Sequence, residues 1–123
     1  MPSFVTIENT STGASIPARI RVCDSFACRL RGLMFKSSLP RDDGLLLVMP
    51  RESRLDSSIH MLFVPFDLAV VWIDSKNEVV DKTTAKSWRP AYMPKRAARY
   101  VLEMHPDHID ACGIGHKVAI KNV

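Results

Sequence analysis

The sequence predicts a mainly β fold: one β-sandwich or barrel-like domain over residues 1–123, with one or two short helices. Short stretches alternate between apolar and polar residues, two continuous apolar runs have the length of strands, and neither helical stretch exceeds about two turns. Strands that do not alternate with long helices argue against a βαβ chain. With 46% hydrophobic residues, a chain of this length can bury one core without disulfide bonds.

The N-terminal third is expected to form two half-buried strands. Val5 and Ile7 alternate with polar neighbours, and residues 9–13 supply a turn. A second alternating series follows, with apolar side chains at Ile16, Ala18, Ile20 and Val22.

A short helix is expected over residues 26–31. The hydroxyl of Ser25 can accept a hydrogen bond from an exposed amide of the first turn, which makes it a suitable cap. Gly32 suits the left-handed conformation that often ends a helix.

The centre of the fold is expected at two apolar runs, residues 45–49 and 68–73. Continuous apolar runs of this length are typical of strands that are covered on both faces. Residues 74–77 form a turn cluster that joins the second run to residues 78–84 in a hairpin. Because residues 78–84 are largely polar, this strand is expected at a sheet edge.

The C-terminal third contains a loop, a strand, a short helix and a final strand. Pro90 and Pro94 indicate a loop over residues 87–97. The next strand, residues 99–104, directs Tyr100, Leu102 and Met104 to one side and Val101 and Glu103 to the other. Residues 106–111 are expected to form a helix that stops at Gly113, and Val118 and Ile120 mark the last strand.

Composition and cysteine count predict a cytoplasmic protein with reduced thiols. No run approaches the roughly 18 apolar residues of a membrane span, and the first residues lack the pattern of a signal peptide. A secreted or membrane-attached form is the alternative if a leader has been trimmed. The three cysteines are an odd number, and a Cys23–Cys28 bridge is the alternative in an oxidising compartment.

Several motifs resemble one known family. They are the segment Arg29-Leu30-Arg31-Gly32-Leu33-Met34-Phe35, then Leu39-Pro40, Gly44-Leu45-Leu46-Leu47-Val48, Ile59-His60-Met61, Pro65-Phe66-Asp67-Leu68, Tyr100-Val101-Leu102-Glu103 and Gly113-Ile114-Gly115. Over residues 19–118 the chain resembles domain of unknown function 192, also called uncharacterised protein family 0127. The resemblance implies the same β-rich fold and brings no established activity. His60 stands where the family commonly has Trp, and Gly115-His116 where it has Gly-Asp.

Two acidic residues are candidates for a site. Asp67 precedes the apolar run 68–73, and Glu103 lies on a mixed apolar strand, so each carboxylate must find a partner or shift its pKa upward. Arg31 is the expected partner of Asp67, because a guanidinium pairs with a carboxylate through two parallel hydrogen bonds. A structural ion pair is the simpler interpretation, and a ligand site the alternative.

Histidines offer two weaker interpretations. Ser58, His60 and Asp67 could form a serine-type triad, but the sequence lacks the nucleophile elbow that would support it. The run His105, His108, Cys112 and His116 has metal-like spacing, yet its two ends fall outside the predicted helix. We therefore expect these four to be solvated surface side chains, and we predict no metal and no cofactor.

Positive charge is concentrated in one segment. Between Asp81 and Glu103 there is no acidic residue, and six basic residues occur: Lys82, Lys86, Arg89, Lys95, Arg96 and Arg99. The rest of the chain has more acidic than basic residues, so this segment produces the whole net charge of +4. Trp88 and Tyr92 lie among the cations, a combination that suits phosphate contacts and stacking on bases. A solvated loop with Trp88 folded back onto the domain is the alternative.

These observations favour a small binding or interaction module without an assigned reaction. Its partner would be an anionic ligand, a polyanion or a protein that contacts the loop from Trp88 to Arg99. The candidate ligand-binding residues are Arg31, His60, Asp67, Trp88, Arg89, Tyr92, Lys95, Arg96, Arg99 and Glu103. The alternative is a hydrolase-like enzyme in which Asp67 or Glu103 acts as acid or base and Arg31 holds an anionic group.

Overall fold

The computed structural model describes residues 3–122. Within them, one sheet contains eight strands: β1 (Phe4–Asn9), β2 (Ala14–Ser15), β3 (Arg19–Cys23), β4 (Asp43–Ser53), β5 (Leu68–Ile73), β6 (Val79–Ala85), β7 (Ala98–Met104) and β8 (Val118–Asn122). Helix α1 spans Phe26–Arg31, and a 3₁₀ helix spans Pro106–Ala111.

The sheet curls into a half-barrel. Its strand order is β2-β1-β3-β4-β7-β5-β6, and β8 pairs with β1. Among the described strands, β3 and β4 form the one parallel pair. An isolated bridge between Glu78 and Lys117 links the start of β6 to the residues before β8. The mainly β, barrel-like fold with two short helices is therefore confirmed.

Strands β4 and β5 are buried on both faces over their apolar runs, as the sequence predicts, and β7 between them is buried as well. All six residues of β5 are buried. Leu68, Val70 and Trp72 of this strand face a first core, and the residues between them face a second core. The first core lies beneath α1 and three long connections, residues 32–42, 54–67 and 86–97. The second core lies between the other face of the sheet and the 3₁₀ helix.

The predicted alternation in β7 is also confirmed. Leu102 and Met104 belong to the second core, and Tyr100 packs against it. Val101 belongs to the first core. Glu103 shares that side of the strand, so the fold directs a carboxylate toward an apolar interior.

Helix α1 begins and ends where its sequence predicts, yet none of its residues is buried. The Ser25 hydroxyl accepts a hydrogen bond from the Cys28 amide at 3.2 Å. Gly32 ends the helix with φ +49° and ψ −122°, a conformation that is costly for residues with a side chain. Because α1 buries no side chain of its own, other contacts must hold it against the sheet.

A disulfide between Cys23 and Cys28 provides one of these contacts, so the expectation of three reduced thiols is wrong. Strand β3 ends at Cys23, and the Ser25-capped turn brings Cys28 back until the two Cα atoms are 5.5 Å apart, a usual separation for a disulfide. Cys112 is a free, buried cysteine in the second core.

Backbone hydrogen bonds join the three connections over the first core. Ile59 and Tyr92 form an isolated antiparallel bridge, and the Phe35 amide donates to the Phe63 carbonyl at 2.9 Å. The indole N–H of buried Trp72 donates to the Ser57 carbonyl at 2.8 Å.

Neither helix of residues 3–122 is long and apolar enough to cross a membrane.

Loss of the disulfide should weaken the attachment of α1. For a bridge between residues only five positions apart, we expect Cys28→Ser to lower the free energy of unfolding by about 2 kcal/mol, measured by urea denaturation. A reducing agent should destabilise the wild type similarly and leave the variant unchanged. Equal stability of wild type and variant under oxidising conditions would contradict a role for this bridge.

Candidate ligand-binding pocket

A cavity of about 350 Å³ lies between α1, strand β4 and residues 56–64; we call it the α1 pocket. Apolar side chains form most of its wall: Leu33, Met34, Leu47, Met49, Met61 and Leu68. Most of them belong to the first core, so the pocket is an unfilled part of that core that opens beside the helix. Its volume lies within the usual range of small-molecule sites, roughly 300–1,000 Å³.

Glu103 is the acidic side chain at the inner end of the α1 pocket. It is 5% exposed, and its carboxylate oxygens have no hydrogen-bond or ion-pair partner within residues 3–122 but are open to the pocket rather than sealed by protein atoms. Its neighbours across the sheet are Leu45 on β4 and Val70 on β5, which offer no side-chain donor. Burial therefore raises the pKa of Glu103 to about 7. Near neutral pH this carboxyl exchanges between its neutral and ionised forms.

Gly32 shapes the wall beside Glu103. A Cβ atom built on Gly32 would lie 3.9 Å from the Oε1 atom of Glu103, in ordinary van der Waals contact. The positive φ of Gly32 turns the chain out of α1 so that the next two residues, Leu33 and Met34, line the pocket. The glycine is thus required for the backbone turn rather than for space at the carboxylate.

Polar side chains line the outer part of the pocket. Arg29 donates to the carbonyls of Asp24 and Val48, which ties α1 to β4. Arg31 is exposed, and Asp56 accepts a hydrogen bond from Arg51 at 2.7 Å. The Nδ1 atom of His60 accepts a hydrogen bond from the Leu62 amide at 3.2 Å.

The fold brings three of the ten predicted site residues to this pocket: Arg31, His60 and Glu103. The predicted Arg31–Asp67 ion pair is wrong. Asp67 accepts hydrogen bonds from the Ser87 amide at 2.9 Å and the Lys86 ammonium at 3.4 Å. The Ser87 bond is the main cause that lowers the pKa of Asp67, and Lys86 contributes. Sequence reasoning expected a cation or donors near Asp67 but selected the wrong cation, because Lys86 approaches from a distant connection.

The serine-type triad does not form. The Ser58 hydroxyl donates to the Arg54 carbonyl at 2.9 Å, and Asp67 is bound to Lys86 and Ser87. His60 contacts neither group through a hydrogen bond within the described chain.

Most cations of the basic segment have partners inside the protein. Four bind groups on neighbouring elements: Lys82 binds the Ile109 and Cys112 carbonyls, Lys86 binds Asp67, Arg96 binds Glu78, and Arg99 binds the Met49 carbonyl. Only the side chains of Arg89 and Lys95 have no such contact with residues 3–122. The Tyr92 hydroxyl accepts a hydrogen bond from the Lys86 amide at 2.8 Å. The segment is therefore less available to a polyanion than its sequence indicates.

Trp88 is half exposed and belongs to an aromatic cluster that sequence reasoning missed. Its ring meets Phe63 edge-on at 5.3 Å, and Phe63 stacks on Phe35 at 5.1 Å. All three residues have positive φ, between 61° and 66°, which is rare for aromatic residues. They come from three different connections, so no local sequence pattern could have shown that they meet.

The His105–His116 run has a structural role. His105 caps the 3₁₀ helix by accepting from the Asp107 amide at 3.1 Å, and His116 accepts from the Gly113 amide at 3.0 Å. The expectation of solvated side chains is wrong for His108 and Cys112, which are both buried. No group of three His, Cys, Asp or Glu residues in the described chain is arranged to hold a metal.

Comparison with known proteins gives a consistent family match. The model of domain of unknown function 192, described as an uncharacterized ACR, matches residues 7–121. A UPF0127 protein of Thermococcus kodakarensis is 41% identical over 97 residues, which cover 79% of this chain and 60% of the relative. A UPF0127 protein of Pyrococcus horikoshii is 43% identical over 97 residues, covering 79% of this chain and 81% of the relative. The chain thus spans about three fifths of the Thermococcus relative.

A solved structure has the same fold. The crystal structure of a protein of unknown function from Novosphingobium aromaticivorans has a TM-score of 0.80 and covers 96% of this chain and 84% of its own. Its sequence identity is 19%, so the likeness concerns the fold alone.

The buried state of Glu103 predicts an unusual dependence of stability on pH. Below about pH 4.5 the carboxyl is protonated in both the folded and the unfolded chain. Between pH 4.5 and about 7 the unfolded chain loses the proton first, so the free energy of unfolding falls as pH rises. Glu103→Gln removes this loss, and we expect the variant to gain about 3 kcal/mol over the wild type between pH 4.5 and 8.

Urea denaturation of both proteins across this pH range measures the difference. Glu52→Gln is the matched control, because a hydrogen bond from the Ser75 hydroxyl lowers the pKa of Glu52 and gives the opposite sign. A wild type that gains stability over Glu103→Gln as pH rises would contradict the assignment.

Proposed function

The chain belongs to the domain of unknown function 192 family, and we propose that this member is a small-molecule-binding module whose ligand occupies the α1 pocket. The observation that carries the proposal is the unpartnered Glu103 carboxylate at the inner end of an apolar cavity. The carboxylate oxygens are open to the cavity rather than sealed by protein atoms. A carboxyl in a pocket whose pKa is strongly raised by burial is a candidate for a functional site.

The ligand is expected to be small and mostly apolar, with one polar group. The apolar side chains of the pocket wall offer hydrophobic contact, whereas the Glu103 carboxyl offers one hydrogen-bonding group inside the pocket. This combination is typical of small-molecule sites, in which apolar walls supply contact area and a few polar groups fix orientation. Arg31 and His60 at the outer part are placed to contact a second polar group near solvent.

The loop from Trp88 to Arg99 is a weaker candidate for a polyanion or protein partner. Only Arg89 and Lys95 remain without internal partners in the described chain, and a few phosphate contacts supply little affinity at physiological salt. We therefore place the partner in the pocket. Retention on heparin at about 0.15 M salt would instead favour the loop.

A catalytic role is the second candidate, favoured by the pKa of Glu103. A carboxyl that titrates near 7 inside a pocket suits general acid or base catalysis at neutral pH. In the predicted hydrolase-like enzyme, Glu103 rather than Asp67 would take this role, because Asp67 does not line the pocket. Arg31 would hold an anionic group of the substrate.

The cellular compartment affects the proposal through α1. A cytoplasmic location remains the expectation from the sequence, yet disulfides are rare in the cytosol outside hyperthermophiles. The Cys23–Cys28 bridge holds the helix that carries Arg29 and Arg31, so a reducing compartment would loosen one wall of the pocket.

A fragment screen that compares the wild type with a variant whose pocket is partly blocked tests the proposal. We expect small apolar fragments to bind the wild type with dissociation constants of about 0.1–1 mM, detected by ligand-observed NMR. Met34→Trp should weaken this binding, because the larger side chain occupies part of the cavity. The matched control is Ile114→Trp, at an exposed position outside the pocket. Fragments that bind Met34→Trp as well as they bind the control would contradict the proposal.

A further inference from the structure

We infer that the α1 pocket selects ligands that carry a protonated amine, which pairs with the Glu103 carboxylate while the rest of the molecule contacts the apolar wall. This inference rests on the proposed function and narrows its ligand to one chemical class.

The Glu103 carboxylate has no partner among the described residues of the protein. Glu103 lies on β7 between Leu45 and Val70, and no side chain of residues 3–122 donates to it. An ionised carboxylate in an apolar interior is costly unless it is paired with a cation and hydrogen-bonded. Since the chain supplies no cation there, an incoming ammonium group can satisfy the carboxylate.

Amines, alcohols and carboxylic acids would interact differently with Glu103. An ammonium brings three N–H donors and a positive charge, so its hydrogen bonds with a carboxylate are charge-assisted and stronger than those of a neutral group. A hydroxyl also donates to the charged carboxylate, but it brings one donor and no positive charge. A ligand carboxylate would face a like charge and would enter only if one of the two groups stayed protonated.

Other charged and titratable side chains also face the pocket. Arg29, Arg31, Asp56 and His60 lie at its outer part. Arg29 is half-buried, Arg31 is exposed and Asp56 is paired with Arg51, so solvent and partners weaken their effect on a ligand. Glu103 acts in the buried interior, where screening is weakest, and therefore dominates the choice of ligand charge.

A series with one ring and three head groups tests the inference: benzylamine, benzyl alcohol and benzoate. At about pH 8, where the raised pKa leaves Glu103 mostly ionised, we expect benzylamine to bind about tenfold more tightly than benzyl alcohol, and benzoate to bind most weakly. Glu103→Gln should abolish the preference for the amine while benzyl alcohol still binds. The matched control Asp67→Asn, which makes the same chemical change outside the pocket, should keep the preference.

Proton release gives a second readout. Near pH 6.5 benzylamine should displace protons from the wild type, measured by calorimetry in buffers with different ionisation enthalpies, and none from Glu103→Gln. If benzyl alcohol binds the wild type more tightly than it binds Met34→Trp, yet the amine shows no advantage, the proposed pocket is supported and the amine inference is wrong. If none of the three compounds binds, both proposals fall.

Discussion

Strand β7 runs between β4 and β5 with both faces covered, and the rest of the structure follows from this burial. Alternation along the strand gives Leu102 and Met104 to one core and Val101 and Glu103 to the other. A carboxylate on such a strand has no route to bulk water except through a gap in the core. The α1 pocket is that gap, and its apolar wall keeps the carboxylate in an environment that favours the neutral form.

The helix above the pocket is held by side-chain attachments in its middle rather than by buried side chains of its own. No residue of α1 is buried, and the helix is fixed by the Cys23–Cys28 disulfide and by hydrogen bonds from Arg29. A helix that buried large apolar side chains would fill the space that it now covers. The disulfide and the Arg29 hydrogen bonds therefore hold the helix as a wall over an internal cavity.

Charge has different effects at the surface and in the core. The cations of the basic segment mostly bind acids and carbonyls of neighbouring elements, for example Lys86 with Asp67 and Arg96 with Glu78. Such exposed pairs contribute little stability, and they reduce the field that the segment presents to a partner. The buried carboxylates of Asp74 and Asp81 accept hydrogen bonds from backbone amides, whereas Glu103 faces the pocket without such a bond in the described chain and therefore has more influence on ligand choice than the larger surface charge.

The sequence alone determined most of the strands, both short helices and the side of β7 that carries Glu103, because these depend on local periodicity and on capping residues such as Ser25 and Gly32; it did not separate β2 from β3 or show that β4 continues to Ser53. Tertiary structure decided which distant groups meet. It paired Asp67 with Lys86 instead of Arg31, gathered Phe35, Phe63 and Trp88 from three connections, and left Glu103 without a partner. These contacts depend on how long connections cross the sheet, and the side-chain pattern of a single segment does not encode that path.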